Sequence, residues 1–278
     1  MRRPWGRLFF IASCLILSQC APLHPGARGR DLADGLAAAK GWQKLAFDTG
    51  PFVLTGYAKN GQGNVLVIYI EGDGQSWITR HRPASDPTPS DPTALKLALS
   101  DPAPRVLYLG RPCQYTSADT ARQCHPRHWT TARYSLQVIQ AMDNAVDQAK
   151  SLLGAQAVEL VGYSGGGAIA VILASRRSDV LRVITVAGNL DHRAWTTLHG
   201  VTPLWESLNP MDVAEQVGQI PQVHFVGAKD DVVPPSLTRN FVRKAQGHAR
   251  LVVVEGFGHH CCWTDDWASL LTGQALRP

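Results

Sequence analysis

The chain has 278 residues, a hydrophobic fraction of 45% and a charged fraction of 18%. That is the make-up of an ordinary globular protein long enough to close one large core. Its net charge is +5, but the Lys and Arg residues are scattered and form no basic run, so no nucleic-acid partner is expected.

The N-terminus reads as an export leader. MRRPWGR is positively charged, and LFFIASCLILSQ is apolar but too short to span a bilayer as a stable anchor. Cys20 follows, then the polar APLHPGARGR. A leader ending Leu-Ser-x-Cys resembles a bacterial lipoprotein signal. The resemblance implies lipidation of Cys20 and an exported protein held at the cell-envelope membrane by a lipid anchor. Because Ala21 rather than Asp follows the cysteine, it also implies the periplasmic side of the outer membrane if the envelope is Gram-negative. Gln19 departs from the small residue usual before such a cysteine. Cys14 fits that rule but leaves an apolar core of only about six residues, and a plain secretory leader is the alternative. The expected division is a signal peptide over 1–20, a tether over 21–44 and one domain over 45–278.

After the tether, strand-like and helical patterns alternate. FVLTGY (52–57) and VLVIYIEG (65–72) flank the turn residues 59–64 and read as a hairpin or two neighbouring strands. The segment 75–105 is long and rich in Pro, Asp and Ser, with a short helix fitting 93–99. RVLYLG (105–110) is a strand. Residues 134–154 carry apolar residues at helical spacing and end on Gly154. Then come strand 158–163, helix 166–176, strand 180–188, strand 222–230, helix 235–247, strand and exit loop 250–260, and helix 263–273. Segment 189–217 carries Trp195 and Trp205 between two strand patterns. The alternation predicts an α/β fold whose central sheet is mainly parallel and covered by helices on both faces. Such sheets carry their chemistry at the carboxyl ends of the strands.

Cysteine usage fits an oxidising compartment. With Cys20 lipidated, Cys113, Cys124, Cys261 and Cys262 remain, an even set that suggests disulfides. A Cys113–Cys124 bridge would staple the polar loop between them. The adjacent Cys261 and Cys262 would form a vicinal bridge or pair elsewhere. Three pairings are open. A zinc site is disfavoured, because there is no CxxC pair and the His259-His260-Cys261-Cys262 run packs candidate ligands too closely.

The densest signal is VELVGYSGGGAIAVILAS, in which a strand runs into Gly162-Tyr163-Ser164-Gly165-Gly166 and then a helix. A G-x-S-x-G sequence between strand and helix is a nucleophile elbow: the glycines make room for a turn that lifts one hydroxyl out of the sheet. The helix behind it aims its positive end at the reacting centre. A serine needs a base, and the base an orienting acid. GAKDDVVP supplies Asp230 or Asp231 after one strand, and GFGHH supplies His259 or His260 after another.

Gly162–Gly166, GAKDDVVP and GFGHH together resemble the α/β-hydrolase superfamily, over roughly residues 50–273. The resemblance implies a serine esterase or lipase-like enzyme, with segment 189–217 as a cap or lid over the site. It selects Asp230, three residues after its glycine, and His259, directly after its glycine, as partners of Ser164. It also implies an oxyanion hole formed by the N–H of Gly165 and by one from the loop after strand 65–72. There this chain has Glu71-Gly72-Asp73-Gly74, without the histidine common in the family, so the second donor is Asp73, with Gly74 as alternative. A carboxylate facing the hole would oppose the developing charge, so Asp73 and Glu71 are expected to turn away, held by an arginine such as Arg111 or Arg133.

The expected function is an exported serine hydrolase that cleaves a carboxylic ester through an acyl-enzyme, acting on a small-molecule or lipid acyl substrate, with no metal or organic cofactor. Two alternatives stand beside it: an inactive hydrolase-fold lipoprotein that serves as a binding module, and an acyltransferase or peptidase using the same triad.

Overall fold

The computed structural model describes residue 1, residues 25–117 and residues 119–273. The leader with Cys14 and Cys20 lies outside them. The chain runs α1 (Pro25–Ala39), β1 (Gln43–Asp48), β2 (Val53–Lys59), β3 (Val65–Ile70), β4 (Trp77–Thr79), β5 (Arg82–Pro83), α2 (Thr93–Leu99), β6 (Val106–Leu109), α3 (Leu136–Leu153), β7 (Ala157–Tyr163), α4 (Gly165–Ala174), β8 (Val180–Val186), α5 (His192–His199), α6 (Ala214–Val217), β9 (Gln222–Gly227), α7 (Pro235–Ala245), β10 (Ala249–Val254) and α8 (Trp263–Thr272).

Eight strands form one sheet in the order β1-β2-β6-β3-β7-β8-β9-β10. Strands β6 through β10 in that order are parallel, and β1 and β2 close one edge antiparallel. The inner strands are continuous apolar runs because both faces are covered. β3, VLVIYI, is buried from Leu66 onward, and each such Leu or Ile contributes about 1.5–3 kcal/mol. One face packs against α3, α4 and α7 through residues such as Met142, Ile169 and Phe241. The other packs against α1, α2 and α8 through Ala33, Leu95 and the fully buried Trp263 and Trp267. Local signals set the helix ends: α3 starts at Ser135, whose Oγ accepts from Val138 N, and stops at Gly154 in the left-handed conformation.

Two expectations are corrected. β2 and β3 are neither a hairpin nor neighbours, because β6 lies between them. Tyr108 of β6 stands opposite Tyr57 on one side and Tyr69 on the other. Turn residues 59–64 mark a change of direction, but the long-range pairing of β6 decides where each strand lies.

The segment 21–44 is also not a tether throughout. From Pro25 to Ala39 it is helix α1, with Ala33 and Ala37 buried. The Tyr57 hydroxyl donates to Asp34 at 2.6 Å, and Arg30 pairs with Asp86 at 2.6 Å. Alanines four residues apart let this helix approach closely without a large apolar stripe, so its periodicity is weak. β1 follows, an edge strand whose exposed and buried residues partly alternate.

Cys113 and Cys124 are bridged, with Cα atoms 5.6 Å apart. By loop-closure entropy such a bridge contributes about 3 kcal/mol. A second bridge joins Cys261 and Cys262.

Candidate active site

The carboxyl ends of β3, β6, β7, β9 and β10 meet in one place. Ser164 follows β7 with φ 51° and ψ −118°, a conformation rarely adopted by a residue with a side chain. Its N–H donates to Val186 O of β8 at 2.9 Å, so the sheet holds the elbow in that conformation. The close turn needs Gly162: a Cβ there would meet the Gly166 carbonyl oxygen at 2.3 Å.

Three of the expected side chains come together. His259 Nε2 lies 3.0 Å from Ser164 Oγ, and His259 Nδ1 lies 2.9 Å from Asp230 Oδ2 and 3.1 Å from Oδ1. Asp230 and His259 are both buried. Asp230 Oδ1 also accepts from the N–H groups of Val232 and Val233 at 3.0 and 2.7 Å, which fixes the carboxylate. Asp231 and His260 stay outside this chain of hydrogen bonds. The His260 ring stands edge-on to His259, and its Nδ1 lies 3.0 Å from the Tyr163 hydroxyl.

The histidine loop has two supports that the sequence did not single out. Trp263 Nε1 donates to the carbonyls of Gly258 and His259 at 3.0 and 3.1 Å, and the Tyr163 hydroxyl donates to the His259 carbonyl at 3.2 Å. Tyr163 stood in the elbow motif only as its variable position, and Trp263 as the end of the Cys261-Cys262-Trp263 run after the histidine pair.

The loop after β3 approaches the serine from the other side. A Cβ on Gly72 would sit 3.4 Å from Ser164 Cβ. Among the described residues neither the Gly165 N–H nor the Asp73 N–H has a hydrogen-bond acceptor. Two unpaired donors beside the hydroxyl, one at the start of α4, suit a developing oxyanion.

The Asp73 carboxylate turns away into a pair of arginines. It accepts from Arg111 Nη1, from Arg133 Nη1 at 2.5 Å and from the Tyr134 hydroxyl at 3.3 Å. Arg111 Nη2 in turn donates to the Arg133 carbonyl at 2.8 Å. Burial alone would raise the Asp73 pKa, but the Arg133 and Arg111 guanidinium ions outweigh it and hold the carboxyl at about 2. This arrangement also explains Gly165, where a Cβ would meet Asp73 Oδ1 at 2.1 Å. The glycine after the serine leaves room for the carboxylate.

Glu71 is buried and also faces away. Its Oε1 accepts from the N–H groups of Gly72 and Ala94 at 2.9 and 3.4 Å, and its Oε2 accepts from the Tyr108 hydroxyl at 2.9 Å. Burial pushes its pKa up from 4.5 to about 7, against the three hydrogen bonds. The folded protein therefore holds a proton that the unfolded chain has already lost, so stability falls as pH rises from about 4.5 to about 7. Glu71→Gln keeps an acceptor for both N–H groups and removes the titration. In urea unfolding it is expected to flatten the stability profile over that interval and to exceed the parent by about 2–3 kcal/mol at pH 8. A variant that follows the parent at every pH would contradict this.

Two cavities open beside Ser164. One, of about 410 Å³, is lined by Glu71, Asp91, Thr93 and Tyr163 among others. The other, of about 340 Å³, passes Trp77, Trp195 and Val233. Trp195 belongs to α5, within the segment 189–217, and its Nε1 donates to the Val232 carbonyl at 2.7 Å. That bond ties α5 to the loop bearing Asp230. Trp205 is 69% exposed and lines neither cavity. Trp129 is buried in a wall beside Cys113 and Cys124, with its Nε1 donating to the Ala84 carbonyl at 3.1 Å.

Among solved structures, Est1E from Butyrivibrio proteoclasticus superimposes with a TM-score of 0.59 at 12% identity, covering 82% of this chain and 95% of its own. The esterase Pf2001 from Pyrococcus furiosus gives 0.58 at 13% identity, covering 83% and 90%. A puromycin hydrolase gives 0.59 at 14% identity, covering 83% of this chain and 37% of its own. At these identities the likeness is one of fold, the α/β-hydrolase fold with its mainly parallel sheet. No curated protein matches the sequence. A family model described as serine hydrolase (FSH1) matches residues 95–267, more than half of the chain and including Ser164, Asp230 and His259. The chain therefore belongs to the FSH1 serine hydrolase family, and the protein is a serine hydrolase.

Proposed function

We propose that the protein is an exported carboxylic ester hydrolase in which Ser164 is the nucleophile, His259 the general base and acid, and Asp230 the group that orients His259. The observation that carries this reading is the continuous relay from Ser164 Oγ to His259 Nε2 and from His259 Nδ1 to Asp230, built on a serine at φ 51°. With Nδ1–H donating to Asp230, Nε2 carries the lone pair that accepts the serine proton. Ser164 Oγ attacks the ester carbonyl carbon, and the carbonyl oxygen becomes an oxyanion received by the N–H groups of Gly165 and Asp73. His259 Nε2–H then protonates the leaving alcohol as the C–O bond breaks. Water, deprotonated by His259, attacks the acyl-enzyme, releases the acid and returns the proton to Ser164. Segment 189–217 acts as a cap through α5. The resemblance of residues 1–20 to a lipoprotein signal supports export and attachment to the envelope membrane through a lipid on Cys20.

The test is hydrolysis of short- and long-chain p-nitrophenyl esters by the parent and by Ser164→Ala. The variant is expected to lose at least about 10⁴-fold in kcat and to resist a fluorophosphonate probe that labels the parent. A folded parent that neither turns over these esters nor takes the probe would favour the binding-module reading. Transfer of the acyl group to an added amine or alcohol in preference to water would favour an acyltransferase.

A further inference from the structure

The surroundings of Ser164 are charged unevenly. The cavity past Glu71 and Asp91 contains carboxyl groups and no arginine or lysine. On the opposite side, the cavity past Trp77 and Trp195 continues into a larger one of about 600 Å³ that shares Trp77, Arg133 and Trp195 with it. The larger cavity lies between the β4–β5 ribbon and the end of α5. Its apolar wall includes Ile78 and Val201, which are 49% and 37% exposed. Its ionisable lining consists of Arg80, His81 and Arg133, with no Asp or Glu among the lining residues.

Two features leave positive charge available there. Arg111 and Arg133 share the single carboxylate of Asp73, so the buried cluster carries a surplus of one positive charge. Arg133 gives Nε to the Thr130 carbonyl and Nη1 to Asp73. The guanidinium also meets the Tyr134 hydroxyl, and the side chain lines both cavities. Arg80, further out, is exposed and forms no ion pair among the described residues. A guanidinium fixed in the wall of both cavities suits a carboxylate, and the aromatic walls suit an apolar body. On the other side the Asp91 carboxylate is already paired with Lys96, so the cationic lining of the larger cavity is what would set which way round a substrate lies.

We infer that this cleft is the subsite for one arm of the ester, and that the preferred arm is apolar and ends in a carboxylate recognised by Arg133 and Arg80. This inference rests on the ester-hydrolase reading and adds the substrate class to it.

The test uses the full chain and two matched pairs of esters. On the acyl side, mono-p-nitrophenyl adipate is compared with its neutral methyl ester. On the alcohol side, 4-carboxyphenyl butyrate is compared with 4-(methoxycarbonyl)phenyl butyrate. In one pair the carboxylate substrate is expected to have about tenfold higher kcat/KM, equivalent to about 1.4 kcal/mol, with the gain carried by KM. Arg80→Glu changes the charge of the cleft by two units and is expected to bring that ratio to one or below. Ratios at or below one in both pairs would overturn the inference, as would a ratio that Arg80→Glu leaves intact. Either result, with neutral esters still turned over in a Ser164-dependent way, leaves the hydrolase reading standing. Turnover of neutral esters that persists in Ser164→Ala, or no turnover of any of the four esters, removes both.

Discussion

Asp230→Asn is expected to fold like the parent and to lose about 10⁴-fold in kcat. The reason lies in which atom each partner occupies. Asp230 Oδ1 accepts from the N–H groups of Val232 and Val233. An asparagine can satisfy both only by placing its carbonyl oxygen there, which leaves its NH₂ facing His259 Nδ1. Nδ1 must then act as acceptor, so the imidazole proton moves to Nε2 and the ring donates to Ser164 Oγ instead of accepting from it. The triad atoms stay in position but in the wrong tautomer. Urea unfolding should show a stability within about 1 kcal/mol of the parent. Activity restored towards the parent's at high pH, where hydroxide can replace the general base, would agree with this account. An Asp230→Asn enzyme within tenfold of the parent at neutral pH would refute it.

Asp73→Ala is expected to damage stability as well as rate. It leaves Arg111 and Arg133, both buried, without their shared carboxylate. Breaking a buried ion pair from one side costs about 3–5 kcal/mol, so the unfolding midpoint should fall by roughly 10 °C for a domain of this size. The carboxylate also fixes the loop that carries the Asp73 N–H, so kcat is expected to fall by about 10²-fold or more. Because the loss comes from stranded charge, Asp73→Ala/Arg133→Met should be more stable than Asp73→Ala alone. Thermal unfolding of the two variants checks this, and a double variant less stable than the single would show that packing, not charge, is the cause.

The elbow, the aspartate and the histidine were legible in the sequence because each signal is local. A glycine run between a strand pattern and a helix pattern identifies Ser164. Glycine-led loops at two later strand ends narrow the acid to Asp230 or Asp231 and the base to His259 or His260. The choice between neighbours, Asp230 over Asp231 and His259 over His260, came from resemblance to a family, and in the structure Asp230 and His259 are the pair that meets Ser164. The helix at Thr93–Leu99 and the span of α3 were readable from spacing and from Gly154.

Other parts were not readable because no short window contains them. The support of the histidine carbonyl by Tyr163 spans 96 residues, and the pairing of Arg133 with Asp73 spans 60. Sequence reasoning named Arg111 or Arg133 as a candidate partner for Asp73, and the fold uses both. Helix α1 was hidden because small residues pack closely without a strong apolar period. The place of β6 between β2 and β3 depends on hydrogen bonds between distant strands. Backbone conformation and the order of residues along the chain are short-range properties, so the kind of fold and the elbow that carries Ser164 were visible in the primary structure. Strand order, the two-arginine cradle under Asp73 and the cationic cleft beside Ser164 depend on long-range burial and charge pairing, which arise only when the sheet has assembled.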